Sequence, residues 1–160
     1  MKKLLCILLM LLLAFPALAA ENPFAPFSLT VPNEVSLESG DISCTFVHGQ
    51  TRVVVIRVDR VPDEDPATAV IRLMGEFDSK AVIGGDLPTA EGFSGVEAVT
   101  KDKYGEGVDA LSAMLLSHEG DLLILSGYNM AGSEIHVRAL LDTLLQGLTA
   151  NDLPVVLKTE

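Results

Sequence analysis

Three histidines, His48, His118 and His136, and a single mid-chain cysteine, Cys44, are the natural candidates for metal ligation or nucleophilic attack. A zinc site normally needs three or four convergent ligands, and these histidines match no ligand spacing. His48 and His118 abut expected turns and His136 lies in an expected first helical turn, so they read as scattered surface residues. The alternative is that His48 and His118 close two neighbouring strands and gather a metal with nearby acids. Cys44 falls in line with Ile42 and Phe46 on an alternating strand, where a thiol packs as a small hydrophobe. No Cys-x-x-Cys redox pair exists.

The remaining constellations fail on geometry. "DRVPDEDP" clusters four acids as an oxygen-rich loop might, but lacks the central glycine and spaced ligands of an EF-hand. Asp65 in that run reads as a helix cap. "GFSGV" places Ser94 between glycines, yet the nucleophile elbow needs G-x-S-x-G between a strand and a helix, and here a strand follows. "IGGDLPTAEGFSG" has no Lys-Ser/Thr ending and opens no helix, so it cradles no phosphate. In "SGYNMAGSE", Tyr128 and Asn129 leave a strand just before a helix that Ser133 can cap. A helix N-terminus can hold an anion, but a plain strand-to-helix turn has the same composition. No catalytic, cofactor-binding or metal-binding residue is assigned, and no cofactor is expected.

The elements that position these residues follow from periodicity. Phe27, Leu29 and Val31 alternate with Ser28 and Thr30, giving a first short strand. "ISCTFVHGQTRVVVIRVDRV" reads as two strands around a turn at Gly49-Gln50. "DPATAVIRLMGEFD" switches to helical period, with Val70, Leu73, Met74 and Phe77 on one face and Asp65-Pro66 as the start signal. Ser79 to Gly92, with Gly84-Gly85, Pro88 and Gly92, reads as a long loop with room for a short extended piece. Phe93 to Thr100, Val108 to His118 and Leu122 to Tyr128 form a meander joined by short turns, so its pairs should be antiparallel.

The last two strands are apolar on both faces and should be covered on both sides. The closing helix carries Val137, Leu140, Leu141, Leu144 and Leu148 as one stripe. Glu134, Arg138 and Asp142 are expected to pair along its wet side. The expected fold is α+β, a mainly antiparallel sheet with a helix on each face: a three-layer α/β/α sandwich. The other arrangement puts both helices on one face.

The N-terminal "MKKLLCILLMLLLAFPALAA" reads as a cleaved signal peptide over 1–19. Lys2 and Lys3 precede an apolar run from Leu4 to Leu13, and Pro16 precedes the small-x-small site Ala17-Leu18-Ala19. A spanning helix needs about 20 apolar residues without such a break. Cys6 stands at the start of the apolar run rather than its end, so lipidation is not expected. A Pro-rich stretch over 20–26, a single domain over 27–148 and a tail over 149–160 complete the organisation. Loss of Lys2 and Lys3 moves the formal charge from −11, with 11 basic against 22 acidic residues, to −13, with 9 against 22. Such a surface repels nucleic acid and anionic lipid. With Cys6 removed, Cys44 has no intrachain disulfide partner, so a hydrophobic core must hold the domain together.

The order of elements, with "FSLTVP" early and "LLILSGYN" leading to "LLDTLLQGL" late, resembles the PsbP-like and DcrB-like superfamily of small exported α/β proteins, over Phe24 to Leu148. The resemblance implies a non-enzymatic accessory or partner-binding role outside the cytoplasm and carries over no site residue. The expectation is therefore a periplasmic or secreted protein that binds another envelope protein, without a membrane anchor after cleavage. The alternative is a small-ligand-binding or hydrolytic periplasmic protein with an unrecognised site.

Overall fold

The computed structural model describes residues 24–39, 43–59, 72, 81–103 and 108–157. The leader read at 1–19, the helix read from Asp65 through Phe77 apart from Arg72, most of the "DRVPDEDP" run, Ile42 and the "YGEG" part of the turn before Val108 lie outside the described residues. The strands are β1 (Phe27–Leu29), β2 (Ser36–Ser39), β3 (Ser43–His48), β4 (Thr51–Asp59), β5 (Ala81–Asp86), β6 (Phe93–Thr100), β7 (Ala110–Ser117), β8 (Asp121–Asn129), β9 (Leu148–Ala150) and β10 (Leu153–Pro154). Helix α1 spans Glu134–Gln146. Seven strands form one sheet in the order β2-β3-β4-β8-β7-β6-β5, and every neighbouring pair is antiparallel.

Side chains alternate between the faces of a strand, so register sorts the core. One row across the sheet runs Cys44, Val55, Leu125, Ala113, Glu97. The next runs Phe46, Val53, Gly127, Leu111, Val99, Val82. Both rows face α1, whose Val137, Leu140, Leu141, Leu144 and Leu145 complete the larger buried cluster. Gly127 is where the helix comes closest: a β-carbon there would lie 2.8 Å from Val137 Cγ1. The opposite face carries a second buried cluster of Ala98, Met114, Leu116, Leu122 and Ile124. Every residue of β7 is buried, as strands apolar on both faces require.

The expected three-layer sandwich, with a helix on each face, is not what forms. Among the described residues one helix lies on one face of a mostly antiparallel structure, and a second, three-stranded sheet β1-β9-β10 stands beside it. Two amphipathic stripes and a sheet centre apolar on both faces show which surfaces need cover, and not what covers each of them. The strand count was also too low. Ser79 to Gly92, expected as a loop with room for a short extended piece, contains the six-residue edge strand β5, with a register shift between Ile83 and Gly85 that bulges it at Gly84.

The "FSLTVP" strand pairs with β9 instead of entering the large sheet: Phe27 lies opposite Ala150 and Leu29 opposite Leu148. Asn151 and Asp152, with φ of 50° and 64°, make the two-residue turn that returns β9 into β10. Leu148, expected on the helical stripe, is a buried residue of β9. Gly147 makes this close return from α1 possible. Thr30 N–H donates to Gly147 O at 2.9 Å, and a β-carbon on Gly147 would lie only 2.2 Å from Thr30 O.

Candidate functional site

The joint between β8 and α1 is built on Asn129. Its position opposite Thr51 turns it toward α1, and both residues are buried. Asn129 Nδ2 donates to Thr51 Oγ1 at 2.7 Å, while its Oδ1 accepts from Ala131 N–H at 2.9 Å and Ser133 N–H at 3.3 Å. Ser133 stands at the N-cap, with φ −83° and ψ 97°, but its side chain makes no capping bond. Asn129 thus fixes the turn leading into the helix, while the side-chain cap expected of Ser133 does not form. The polar character of "SGYNMAGSE" is thus largely spent on structure, since buried amide groups must find partners.

Around this joint opens a groove of about 480 Å³. His48 and Gln50 enter from the β3–β4 turn, Glu34 from the segment before β2, and Ser133, His136 and Thr143 from α1. Thr143 Oγ1 donates to Ala139 O at 2.7 Å, so its hydroxyl is partly used within the helix. His48 and His136 therefore share a groove. The pairing of His48 with His118 does not form: β4 and β8 separate β3 from β7, and the two histidines lie at opposite ends of the sheet. Among the described residues no group of three or more His, Cys, Asp or Glu is placed to hold a metal.

At that opposite end Ser94 Oγ and His118 Nε2 are 3.1 Å apart. Sequence spacing does not bring them together; the antiparallel register of β6 and β7 does. A hydroxyl beside an imidazole is half of a nucleophile–base arrangement. This pair is exposed, so water solvates both groups. Cys44 is a buried free thiol facing α1.

A second groove, of about 410 Å³, lies between the C-terminal half of α1 and the chain leaving β5. Arg138 does not stay on the wet side of α1 as expected. It crosses to ion-pair with Glu97 of β6, which the register turns toward the helix. Asp142 follows on the same wall. Burial pushes its carboxyl above the ordinary 3.8, the charge of Glu97 adds to that, and Arg138 opposes it. Asp86 lies at the rim, where its register opposite Val96 turns its side chain to the face away from α1, and Leu87, Leu145 and Leu157 supply apolar wall.

A third hollow, under the first turn of α1 and lined by Val99, Leu111 and Val137, holds only about 70 Å³. Ligand pockets for small metabolites run to roughly 300–1,000 Å³. No helix among the described residues is long and apolar enough to cross a membrane.

No family model matches the chain, and no curated protein matches it. Its structure is similar to the solution structure of cyanobacterial PsbP (CyanoP) from Synechocystis sp. PCC 6803, with a TM-score of 0.54 and 13% identity. The match covers 78% of this chain and 86% of that one. The fold is therefore PsbP-like, in agreement with the resemblance carried by "FSLTVP" and the closing helix.

Proposed function

We propose that the chain is an exported, non-enzymatic accessory protein of the bacterial cell envelope that acts by holding another protein. The observation that carries this reading is the shape of the interior. The small hollow under α1 is too small for a metabolite, and the two larger grooves, though as large as a ligand pocket, are open to solvent and lined by mixed polar and apolar side chains. Open grooves suit a segment of another macromolecule better than a sequestered reaction. The PsbP-like fold and the leader-like start are consistent with accessory work outside the cytoplasm. Residues 20–160 are the working protein in this reading.

The test is capture from the native host with a C-terminally tagged full-length chain, followed by mass measurement of the bait. The expected result is a bait beginning near Ala20 or Glu21 in the extracytoplasmic fraction, with one partner in stoichiometric amount. A cytosolic bait of full mass, or a processed bait without a specific partner, would overturn the reading.

The Ser94–His118 contact favours one second reading, a hydrolase. An activated serine would react with a fluorophosphonate probe, and Ser94→Ala would abolish that labelling. Its exposure predicts no labelling of either chain.

A further inference from the structure

We infer that the exposed edge strand β5 pairs antiparallel with β5 of a second copy of this chain, about a two-fold axis at Ile83. This goes beyond the partner-binding reading and stands without it. β5 ends the large sheet, and no described strand lies on its outer side. Val82 to Asp86 are all exposed, Val82 to 66% and Ile83 to 50%. These two apolar side chains point to opposite faces of the sheet, Val82 paired with Val99 and Ile83 with Ala98. A backbone edge with apolar side chains on both faces is a template for another strand. The other edge is guarded, since β2 has four residues and carries Glu38. From Ala81 to Gly85, β5 has neither a charge nor a proline.

Two features select a second copy as the occupant. The first is charge. The residue before the strand is Lys80 and its last residue is Asp86, so an antiparallel pair sets the basic end of each copy toward the acidic end of the other. The second is Gly84-Gly85. Neither glycine has a positive φ; a β-carbon on Gly84 would make ordinary contact with Glu97 O at 3.8 Å, and one on Gly85 would meet nothing. The single chain gives no steric reason for glycine at either position, and glycine inside a strand often marks the close approach of another backbone. With Ile83 on the axis, Val82 of one copy lies across from Gly84 of the other and covers its bare backbone. The bulge at Gly84 keeps the regular stretch short, so the dimer is weak. The pairing uses the open edge of both copies and leaves β2 at the two outer ends, so assembly closes at two.

The test is sedimentation velocity on the processed chain from about 10 μM to about 1 mM, with amide hydrogen exchange at both ends of that range. The expected result is a concentration-dependent dimer that tightens as salt screens the like net charges of the two copies. Exchange should slow at Val82 to Gly84 on association and stay unchanged at Leu37. Ile83→Lys and Ile83→Glu should each weaken the dimer by about tenfold, because each sets two like charges together at the axis. Mixing the two variants in equal amounts should restore association, as a pair centred on residue 83 requires. Far-UV circular dichroism should match the parent for both, since Ile83 is half-exposed at a sheet edge. A monomer at about 1 mM, a dimer indifferent to Ile83→Lys, or a mixture no tighter than either variant alone would overturn the pairing. So would protection of β5 by a captured envelope protein on a chain that stays monomeric, which would give the edge to that partner.

Discussion

Asn129→Ala tests how the β8–α1 joint is held. The substitution removes a donor to Thr51 Oγ1 and an acceptor shared by the N–H groups of Ala131 and Ser133. Each such hydrogen bond is worth about 1 kcal/mol net, and polar groups orphaned in a buried site keep that cost from being recovered, so the loss should be about 3 kcal/mol. At an m-value of about 1.5 kcal/mol per M, the urea midpoint should fall by about 2 M. Asn129→Asp keeps the acceptor for both N–H groups and should lose less at pH 4 than at pH 7, where a buried carboxylate must stay charged. Thr51→Val alone should cost about 1 kcal/mol and add little to Asn129→Ala, because both remove the same bond. The assay is urea unfolding followed by far-UV circular dichroism, with the His136 ring resonances reporting on the groove wall. An Asn129→Ala cost below about 1 kcal/mol, with Thr51→Val fully additive, would refute the reasoning.

Gly147→Ala should cost about 3 kcal/mol, because its β-carbon meets the backbone oxygen of Thr30, which cannot rotate away. Hydrogen exchange should show early loss of protection at the amides of β1 and β9. Asp142→Asn should raise the melting temperature at pH 7 and leave it unchanged near pH 3. A carboxyl whose folded pKa is raised contributes stability that is fully present below the unfolded value of 3.8 and is lost as pH rises through the folded value. Melting curves across that range check the sign. Cys44 should resist a thiol reagent in the native state and react on unfolding, since it lies buried opposite Val55. Rapid native labelling would contradict its placement.

Much of the fold is legible in the sequence wherever one period dominates. Val137, Leu140, Leu141 and Leu144 mark the buried stripe of α1 because a helix on a sheet buries one stripe and no more. The β6–β7–β8 meander is legible because its turns are short, and its double burial because β7 and β8 lack alternation. β5 is not legible. Gly84-Gly85 carries the composition of a turn, and only pairing with β6 turns it into a bulge. β9 is hidden because Leu148 continues the helical spacing past Gly147, while the approach of Thr30 is what redirects the chain.

The candidate site was less legible for the same reason. His48 comes to line one groove with His136 through the pairing of β4 with β8, and Ser94 meets His118 through β6 with β7. Arg138 had two plausible partners four residues away on its own helix. Only the register of β6, which turns Glu97 toward α1, decides for a third. Local spacing names the neighbours within an element, and register names those across elements.

Site-specific photo-crosslinking in the native host tests the proposed partner binding most directly. A photoreactive residue would replace Leu87 in the groove beside Arg138 and Asp142 of the full-length chain, with Leu37 on the opposite edge strand as the control. A partner-binding protein should give one discrete crosslinked product from position 87, made by the processed chain outside the cytoplasm, and none from position 37. The same faint smear from both positions, or no product from either, would contradict it.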